Sequence, residues 1–244
     1  MKCIILAAGY ATRLYPLTEN FPKPLLMVGE KTILDWLVDD LSPLIDEFVV
    51  ISNHKFAGQF QSWAKEKPQK ITVLDDGTTS NETRLGAVKD IWFAADTLGI
   101  HDDCVVMAGD NVLDFSLKGF VEYSRKRKTS CIMCHEENRL EALQKTAVIE
   151  FDADGLITSY EEKPKVPKGN HAVPPFYFYL AEDLLKIPTA LEAGCGYDAP
   201  GSFAAWLSSQ TAMHAYLMPG KRYDIGDRKS YDFIRENYHG IVER

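Results

Sequence analysis

The first half of the chain alternates short apolar runs with stretches of helical periodicity, and this alternation limits the possible folds more than any other feature. Apolar runs at residues 3–8, 48–52, 71–74 and 104–108 predict buried strands. The segments between them suit crossover helices, and such βαβ units build parallel sheets. We therefore predict an α/β fold with a Rossmann-like, mixed but mostly parallel sheet flanked by helices.

Helix boundaries are marked by local signals. Thr32, followed three residues later by Asp35, predicts a capped helix, and the apolar positions after it repeat at helical spacing. Residues 56–67 and 83–98 predict the next two helices, and residues 228–238 a later one. These lengths agree with a sheet wound with helices.

The second half changes character. Residues 147–151 and 157–161 flank a turn sequence and predict a hairpin, and residues 176–180 predict another strand. Four prolines between residues 163 and 176 predict a loop. We expect a single domain over residues 1–244, with one half at 1–128 and a smaller, antiparallel half at 129–244.

Charge and composition exclude several classes of partner. The 244 residues carry 27 Lys and Arg against 35 Asp and Glu, a formal net charge of −8. Such a balance argues against binding to nucleic acid or to an anionic membrane. No run approaches the roughly 20 apolar residues of a membrane span. Five cysteines without a secretory signal favour a reducing compartment, so we expect a cytoplasmic protein.

A turn of small residues follows the first predicted strand. The sequence GYATRLYPLT begins at Gly9, and FPKPLL begins at Phe21. A tight turn at the carboxyl end of a parallel strand lets backbone N–H groups approach phosphate, and Arg13 and Lys23 would supply positive charge. The turn has neither the G-x-G-x-x-G pattern nor the Walker pattern, which argues against a dehydrogenase and a P-loop ATPase.

These segments resemble the sugar nucleotidylyltransferase family, which carries G-x-G-T-R-L-x-P-x-T followed by P-K-x-L. Ala11 stands where the family usually has its second turn glycine. The resemblance implies that Arg13 and Lys23 are catalytic. It also implies a nucleotide-binding segment consisting of Leu6, Ala8, Gly9, Tyr10, Ala11 and Thr12.

Two further segments match the family's metal-binding motifs. Gly109-Asp110-Asn111 follows the fourth predicted strand, and Tyr223-Asp224-Ile225-Gly226 precedes the last predicted helix. By resemblance Asp110 and Asp224 hold Mg²⁺, and Asn111 contacts the substrate. From spacing alone, an Asp-Asn turn closing a strand explains the first segment equally well. Asp227 is expected to cap the helix that follows.

The remaining expected site residues come from two loops. The sequence EEKP at residues 161–164 resembles the family segment that meets the sugar phosphate, so Glu162 would bind sugar hydroxyls and Lys163 the phosphate. The loop at residues 75–87 is expected to cover the base through Asp76 and Gly86. Its sequence differs from that of longer thymidylyltransferases, and Ala147 and Pro174-Pro175 depart from the family near the expected sugar pocket. Base and sugar therefore stay open.

The resemblance implies a reaction between a nucleoside triphosphate, with dTTP or UTP favoured, and a sugar 1-phosphate, with glucose 1-phosphate favoured. Mg²⁺ is the expected cofactor, and self-association is a family-level expectation. One alternative is a cytidylyl or guanylyl transferase acting on choline phosphate, a phosphonate or a heptose phosphate. Another is a catalytically silent regulatory subunit. Asp110→Ala and Lys23→Ala are expected to fold normally and to lose turnover.

Overall fold

The computed structural model describes residues 1–242, and its contacts divide the chain into two compact units. The first unit comprises Met1–Leu85, Met107–Lys118 and Pro219–Arg244, and the second comprises Gly86–Val106 and Gly119–Met218. This division by contacts differs from the expected halves at 1–128 and 129–244. The resemblance assigns nucleotide binding to residues 1–128 and sugar phosphate binding to residues 129–244, and this assignment stays a prediction.

Strands and helices alternate along the chain, as the sequence predicts. The strands are β1 (Lys2–Leu6), β2 (Met27–Val28), β3 (Lys31–Thr32), β4 (Glu47–Ser52), β5 (Ile71–Asp75), β6 (Cys104–Ala108), β7 (Val112–Leu113), β8 (Ser130–Glu136), β9 (Ala147–Phe151), β10 (Ile157–Glu162), β11 (His171–Val173), β12 (Phe176–Tyr179), β13 (Met213–Leu217) and β14 (Arg222–Tyr223). The helices are α1 (Ile33–Leu41), α2 (His54–Lys65), α3 (Ala87–Thr97), α4 (Lys118–Arg127), α5 (Leu140–Leu143), α6 (Ala181–Leu184), α7 (Ile187–Glu192), α8 (Gly201–Ser208) and α9 (Arg228–Asn237). Single 3₁₀ turns lie at Thr12–Leu14, Lys23–Leu25 and Asn81–Thr83.

The first unit is built on a parallel sheet. Strand β4 lies between β1 and β5 and pairs with both in parallel register. All six residues of β4 are buried, as expected for a strand covered on both faces. Helix α1 begins at the predicted capping box, in which the side chains of Thr32 and Asp35 each accept a hydrogen bond from the other's backbone N–H. Two short antiparallel ribbons, β2–β3 and β7–β14, complete this unit.

An apolar cluster in the first unit holds the chain segments that carry the expected site. It joins the first loop, through Leu14, to the segment of Ile225 and to helix α9. Burying an aliphatic side chain such as Leu14 stabilises the fold by roughly 1.5–3 kcal/mol. The buried members of the cluster are Leu14, Leu26, Val28, Ile33, Val112, Ile225, Tyr231, Ile234 and Tyr238.

The second unit is mainly antiparallel. Its strands follow the order β10, β9, β11, β8 and β12, and β13 pairs with β8 in parallel. The predicted hairpin is confirmed, since β9 and β10 pair antiparallel. Helix α8 packs against β10. A mixed sheet flanked by helices is therefore the observed architecture, and the α/β class is confirmed.

Two elements differ from the sequence expectation. The helix predicted at residues 83–98 begins only at Ala87, because Gly86 has a φ of +95° that no helix accommodates. The segment predicted as a loop at residues 163–176 contains strand β11. Its prolines flank this strand without entering it, so β11 pairs with both β8 and β9.

Within residues 1–242, no helix combines the length and the apolar composition that crossing a membrane requires.

Candidate active site

The loop after β1 holds a strained residue. Ala11 has φ 46° and ψ 42°, the left-handed conformation that glycine adopts readily and alanine does not. This explains why the resembled family usually has glycine here. The Ala11 carbonyl accepts hydrogen bonds from the Leu14 N–H at 3.0 Å and from the Thr18 hydroxyl at 2.8 Å, which fixes the turn.

Lys23 and Asp110 form an ion pair across the site. The Lys23 ammonium donates to Asp110 Oδ2 over 2.8 Å. The two partners differ in exposure, because the Lys23 side chain is 9% exposed and the Asp110 side chain 44%. Asp110 therefore serves as the acceptor for a nearly buried cation while keeping part of its carboxylate open to a ligand.

The position of Asp110 depends on Gly109. A Cβ atom added at Gly109 would lie 2.9 Å from Ile5 Cγ2, so this residue has no room for a side chain. The Gly109 N–H donates to the Leu6 carbonyl at 2.9 Å. The absence of a side chain thus lets the Asp110 segment approach the end of β1, which supports a built site over a generic Asp-Asn turn.

Asn111 is held by the protein. It is 2% exposed, its amide donates to the Ala108 carbonyl at 3.0 Å, and its side-chain oxygen accepts from Arg222 Nη1 at 3.1 Å. These bonds leave Asn111 in a supporting position beside Asp110. Its expected contact with the substrate stays a prediction.

Asp224 reaches the same region through the ribbon formed by β7 and β14. Tyr223 pairs with Val112, which is two residues after Asp110. The chain after β14 therefore starts close to the Asp110 segment. Asp227 caps helix α9 by accepting from the Ser230 N–H at 2.8 Å, and its predicted role is thereby confirmed. Asp224 itself is exposed.

These segments surround a cavity of about 510 Å³, a size typical of small-molecule sites, and all of its lining residues belong to the first unit. It brings together nine of the expected site residues: Leu6, Gly9, Tyr10, Ala11, Thr12, Arg13, Lys23, Asp110 and Asp224. Cationic and anionic side chains therefore share one cavity. It is also lined by Ala7, Leu14, Pro24, Asn81, Arg84, Ala108, Ile225 and Gly226.

Asn81 and Arg84 are the polar lining residues that the sequence did not single out. They belong to the loop expected over the base, and Arg84 Nη1 donates to the Asn81 carbonyl at 2.8 Å. The hydroxyl of Tyr10 donates to the Thr78 carbonyl at 3.2 Å and ties this loop to the first one. Burial raises the pKa of Tyr10, so this hydroxyl stays a donor. In the sequence, only the polar side chains of this loop could have indicated Asn81 and Arg84.

Three expected nucleotide-binding residues do not line the cavity. The Ala8 carbonyl accepts from Asn53 Nδ2 at 2.9 Å. Asp76 folds onto its own turn, where Oδ1 accepts from the N–H and the hydroxyl of Thr78, and burial raises the pKa of Asp76. At Gly86 an added Cβ would lie 2.6 Å from the Tyr197 carbonyl oxygen. The group that approaches Gly86 closely is therefore the backbone of Tyr197.

Glu162 and Lys163 lie in the second unit, at the end of β10. Lys163 is exposed and has a φ of 48°, an uncommon conformation for a residue with a long side chain. Its N–H donates to the Thr146 carbonyl at 3.1 Å, which holds this backbone in place. Strained residues of this kind concentrate at functional sites.

Comparison with known proteins matches nearly the whole chain to one family. Residues 2–239 match the family described as Nucleotidyl transferase. A glucose-1-phosphate thymidylyltransferase of Mycolicibacterium smegmatis is 33% identical over 194 residues, which cover 73% of this chain and 61% of the relative. Mannose-1-phosphate guanylyltransferase 1 of Arabidopsis thaliana is 28% identical over 239 residues, which cover 95% of this chain and 63% of the relative.

The chain spans about three fifths of the length of these curated relatives. The structure of a UDP-glucose pyrophosphorylase complexed with UDP-glucose matches with a TM-score of 0.79 over 97% of both chains. At 20% identity this likeness shows the fold. The family match over nearly the whole sequence confirms the resemblance, and the chain belongs to the nucleotidyl transferase family.

Proposed function

We propose that the chain transfers a nucleotidyl group from a nucleoside triphosphate to a sugar 1-phosphate and releases pyrophosphate. The observation that carries this proposal is the meeting of Arg13 and Lys23 with Asp110 and Asp224 in one cavity. Cations suit a polyphosphate, and carboxylates suit the divalent cation that accompanies it. Family membership supports the same reaction class.

The acceptor's phosphate oxygen attacks the α-phosphorus, a new P–O bond forms, and the bond to the β-phosphate breaks as pyrophosphate leaves. The chain's own contribution is to position both reactants and to stabilise the developing charge. Arg13 and Lys23 donate to phosphate oxygens. Lys23 is already aimed into the cavity by Asp110, so little reorganisation is needed when the triphosphate binds.

The residues present fit Mg²⁺. Asp110 and Asp224 offer hard carboxylate oxygens to one cavity, and Mg²⁺ in triphosphate sites typically takes one or two carboxylates together with phosphate oxygens. Within residues 1–242 no group of three or more His, Cys, Asp or Glu side chains is arranged to hold a metal ion. When bound, the cation would neutralise charge on the phosphates.

Different residues would bind the nucleotide and the sugar 1-phosphate. Asn81, Arg84 and the first loop would hold the nucleotide, while Glu162 and Lys163 would bind the sugar hydroxyls and the sugar phosphate. Asp76 and Gly86 shape the nucleotide loop through their contacts with protein. We favour dTTP or UTP with glucose 1-phosphate, and the name of the glucose-1-phosphate thymidylyltransferase relative agrees with dTTP and this sugar.

A guanylyl transferase is the second candidate. The relatives also include mannose-1-phosphate guanylyltransferases, of which the Arabidopsis protein covers 95% of this chain. Arg84 agrees with this choice as well, because an Arg side chain can donate two hydrogen bonds to O6 and N7 of guanine. A cytidylyl transferase acting on another phosphorylated acceptor and a silent regulatory subunit are the remaining alternatives.

The test measures pyrophosphate release with Mg²⁺, offering dTTP, UTP, CTP, GTP and ATP against glucose 1-phosphate, mannose 1-phosphate and other phosphorylated acceptors. Release that requires both partners and falls about a hundredfold or more in Arg13→Ala is expected. Lys55→Ala is the matched control, since this exposed Lys lies outside the cavity. A folded chain without turnover across the whole panel would refute the proposal and favour the silent subunit.

A further inference from the structure

A polar cluster with buried oxygen atoms surrounds Glu162 in the second unit. We call it the Glu162 cluster and define it as Tyr160, Glu162, Tyr177, Tyr179 and Gly201. Tyr160 and Glu162 are two residues apart on β10 and therefore point to the same face, as do Tyr177 and Tyr179 on β12. The rings of Tyr177 and Tyr179 stack with their centroids 5.7 Å apart. Gly201 is the first residue of α8.

Several polar atoms of this cluster are buried without a hydrogen-bond partner in the described part of the chain. They are Tyr160 Oη, Glu162 Oε2 and Tyr179 Oη. The neighbouring Glu161 behaves differently, because it accepts from the Lys168 N–H and lies 3.2 Å from the Lys168 ammonium. A buried polar group without a partner destabilises a fold, so three of them in one cluster require an explanation other than packing.

Burial also changes the pKa values of two groups in the cluster. Burial raises the pKa of the Glu162 carboxyl, and the nearby charge of Lys163 opposes this only in part. Burial likewise raises the pKa of Tyr160, so its hydroxyl keeps its proton. The cluster therefore offers a carboxylate acceptor and hydroxyl donors in a place with little competing water.

Gly201 leaves the space that the carboxylate occupies. A Cβ atom added there would lie 2.8 Å from Glu162 Oε2, 3.0 Å from Tyr160 Oη and 3.5 Å from Tyr177 Oη. The backbone does not require glycine, because Gly201 has no positive φ. Alanine is the better residue for a helix, so the glycine is best explained by the oxygen atoms beside it.

We propose that Gly201 and Tyr160 set the position of the Glu162 carboxylate and thereby determine which sugar the chain accepts, an inference that rests on the proposed function. A carboxylate distinguishes sugar epimers through the directions in which it accepts hydrogen bonds from hydroxyl groups. Gly201 defines how far the carboxylate can retreat toward α8. Tyr160 would limit its sideways position, because the Tyr160 hydroxyl borders the same space, 3.0 Å from a Cβ added at Gly201. Both act through Glu162 and are positioning residues.

Gly201→Ala is the sharper test because the clash falls on the far end of a flexible side chain. The carboxylate can move by a few tenths of an ångström, so the fold should tolerate the substitution while Glu162 shifts. Tyr160→Phe keeps the ring and removes only the hydroxyl. Gly58→Ala is the matched control, since an added Cβ meets nothing within 4 Å at this exposed position of α2.

Steady-state kinetics are measured for each variant with the sugar 1-phosphate and the nucleoside triphosphate varied in turn. Gly201→Ala and Tyr160→Phe should each raise the KM for the sugar 1-phosphate about tenfold and change the kcat/KM ratio between glucose and galactose 1-phosphates. The KM for the triphosphate should stay within twofold. A general loss of structure would lower kcat instead and would not change the preference between epimers.

Two different failures can be distinguished by adding calorimetric titration of the unmodified chain with glucose 1-phosphate and with galactose 1-phosphate in the presence of the triphosphate. Turnover of the unmodified chain, together with variants that keep its sugar KM and epimer ratio within twofold, would overturn the positioning role alone. An unmodified chain that neither turns over nor binds any sugar phosphate would overturn the proposed function and this inference with it.

Discussion

The ion pair between Lys23 and Asp110 predicts that removing either partner has a different effect on stability. Asp110→Ala would leave the Lys23 ammonium, whose side chain is 9% exposed, without its acceptor. Lys23→Met would leave a carboxylate that is 44% exposed and that water can solvate. The two substitutions break the same 2.8 Å contact, so reasoning that ignored burial would expect equal losses of stability.

The magnitudes follow from these exposures. A buried charge left unpaired costs several kcal/mol when fully enclosed, and we expect about 2–3 kcal/mol for the slightly exposed Lys23 in Asp110→Ala. Lys23→Met keeps most of the side-chain volume and loses an interaction that solvent partly screens, so we expect about 1 kcal/mol or less. Asp110→Asn keeps an oxygen acceptor and should fall between the two.

Urea denaturation followed by circular dichroism measures these losses. At this chain length the loss in Asp110→Ala should lower the melting temperature by about 4–12 °C. The sequence alone suggested that both alanine variants fold normally, whereas the structure predicts a folded but clearly less stable Asp110→Ala. Equal free energies of unfolding for Asp110→Ala and Lys23→Met, within about 0.5 kcal/mol, would refute the reasoning from burial.

Three further predictions concern other described residues. Ala11→Gly should raise the free energy of unfolding by about 0.5 kcal/mol, because relief of the left-handed strain exceeds the entropy that glycine adds to the unfolded chain; a loss measured by urea denaturation would contradict this. Burial alone would raise the pKa of Glu47, but hydrogen bonds from Lys2, Thr72 and Lys70 lower it from 4.5 to about 2. Since the folded pKa lies below the unfolded one, this group contributes fully above about pH 4.5, and its contribution of at most about 3 kcal/mol is lost as the pH falls toward 2. Glu47→Gln should therefore flatten the stability profile between pH 5 and pH 2, and an unchanged slope would contradict the assignment. Arg84→Ala should raise the KM for the triphosphate about tenfold while that for the sugar 1-phosphate stays within twofold, and equal effects on both substrates would remove Arg84 from the nucleotide site.

Local signals in the sequence were sufficient for several elements. The capping box at Thr32 and Asp35, the cap at Asp227 and the hairpin of β9 and β10 all form as predicted. Each depends on residues close in sequence, whose preferences act before any distant contact forms. The first loop and Asp110 could likewise be placed at one cavity, because strand ends of a parallel sheet meet at one edge. Asp224 follows β14 of the antiparallel ribbon, and only its match to the family motif indicated its place.

Distant contacts explain what the sequence did not indicate. Helix α3 begins four residues late because the Tyr197 carbonyl accepts from the Val88 N–H and lies against Gly86, more than a hundred residues away. No residue close to Gly86 in the sequence indicates its contact with Tyr197. Arg84 and Asn81 line the cavity because a 3₁₀ turn directs them there, and side-chain direction in an irregular loop cannot be inferred from residue type alone.

The interleaving of the chain has a consequence for synthesis. The first unit is assembled from segments that begin at Met1, Met107 and Pro219, and its cavity needs residues from all three. A nascent chain that has reached Met218 still lacks Asp224 and Ile225, so it cannot present the complete cavity to a ligand. Contacts between residues two hundred positions apart also carry a large loop-closure entropy, which slows folding. A nucleotide should therefore slow the unfolding of the finished protein without speeding the folding of the emerging chain.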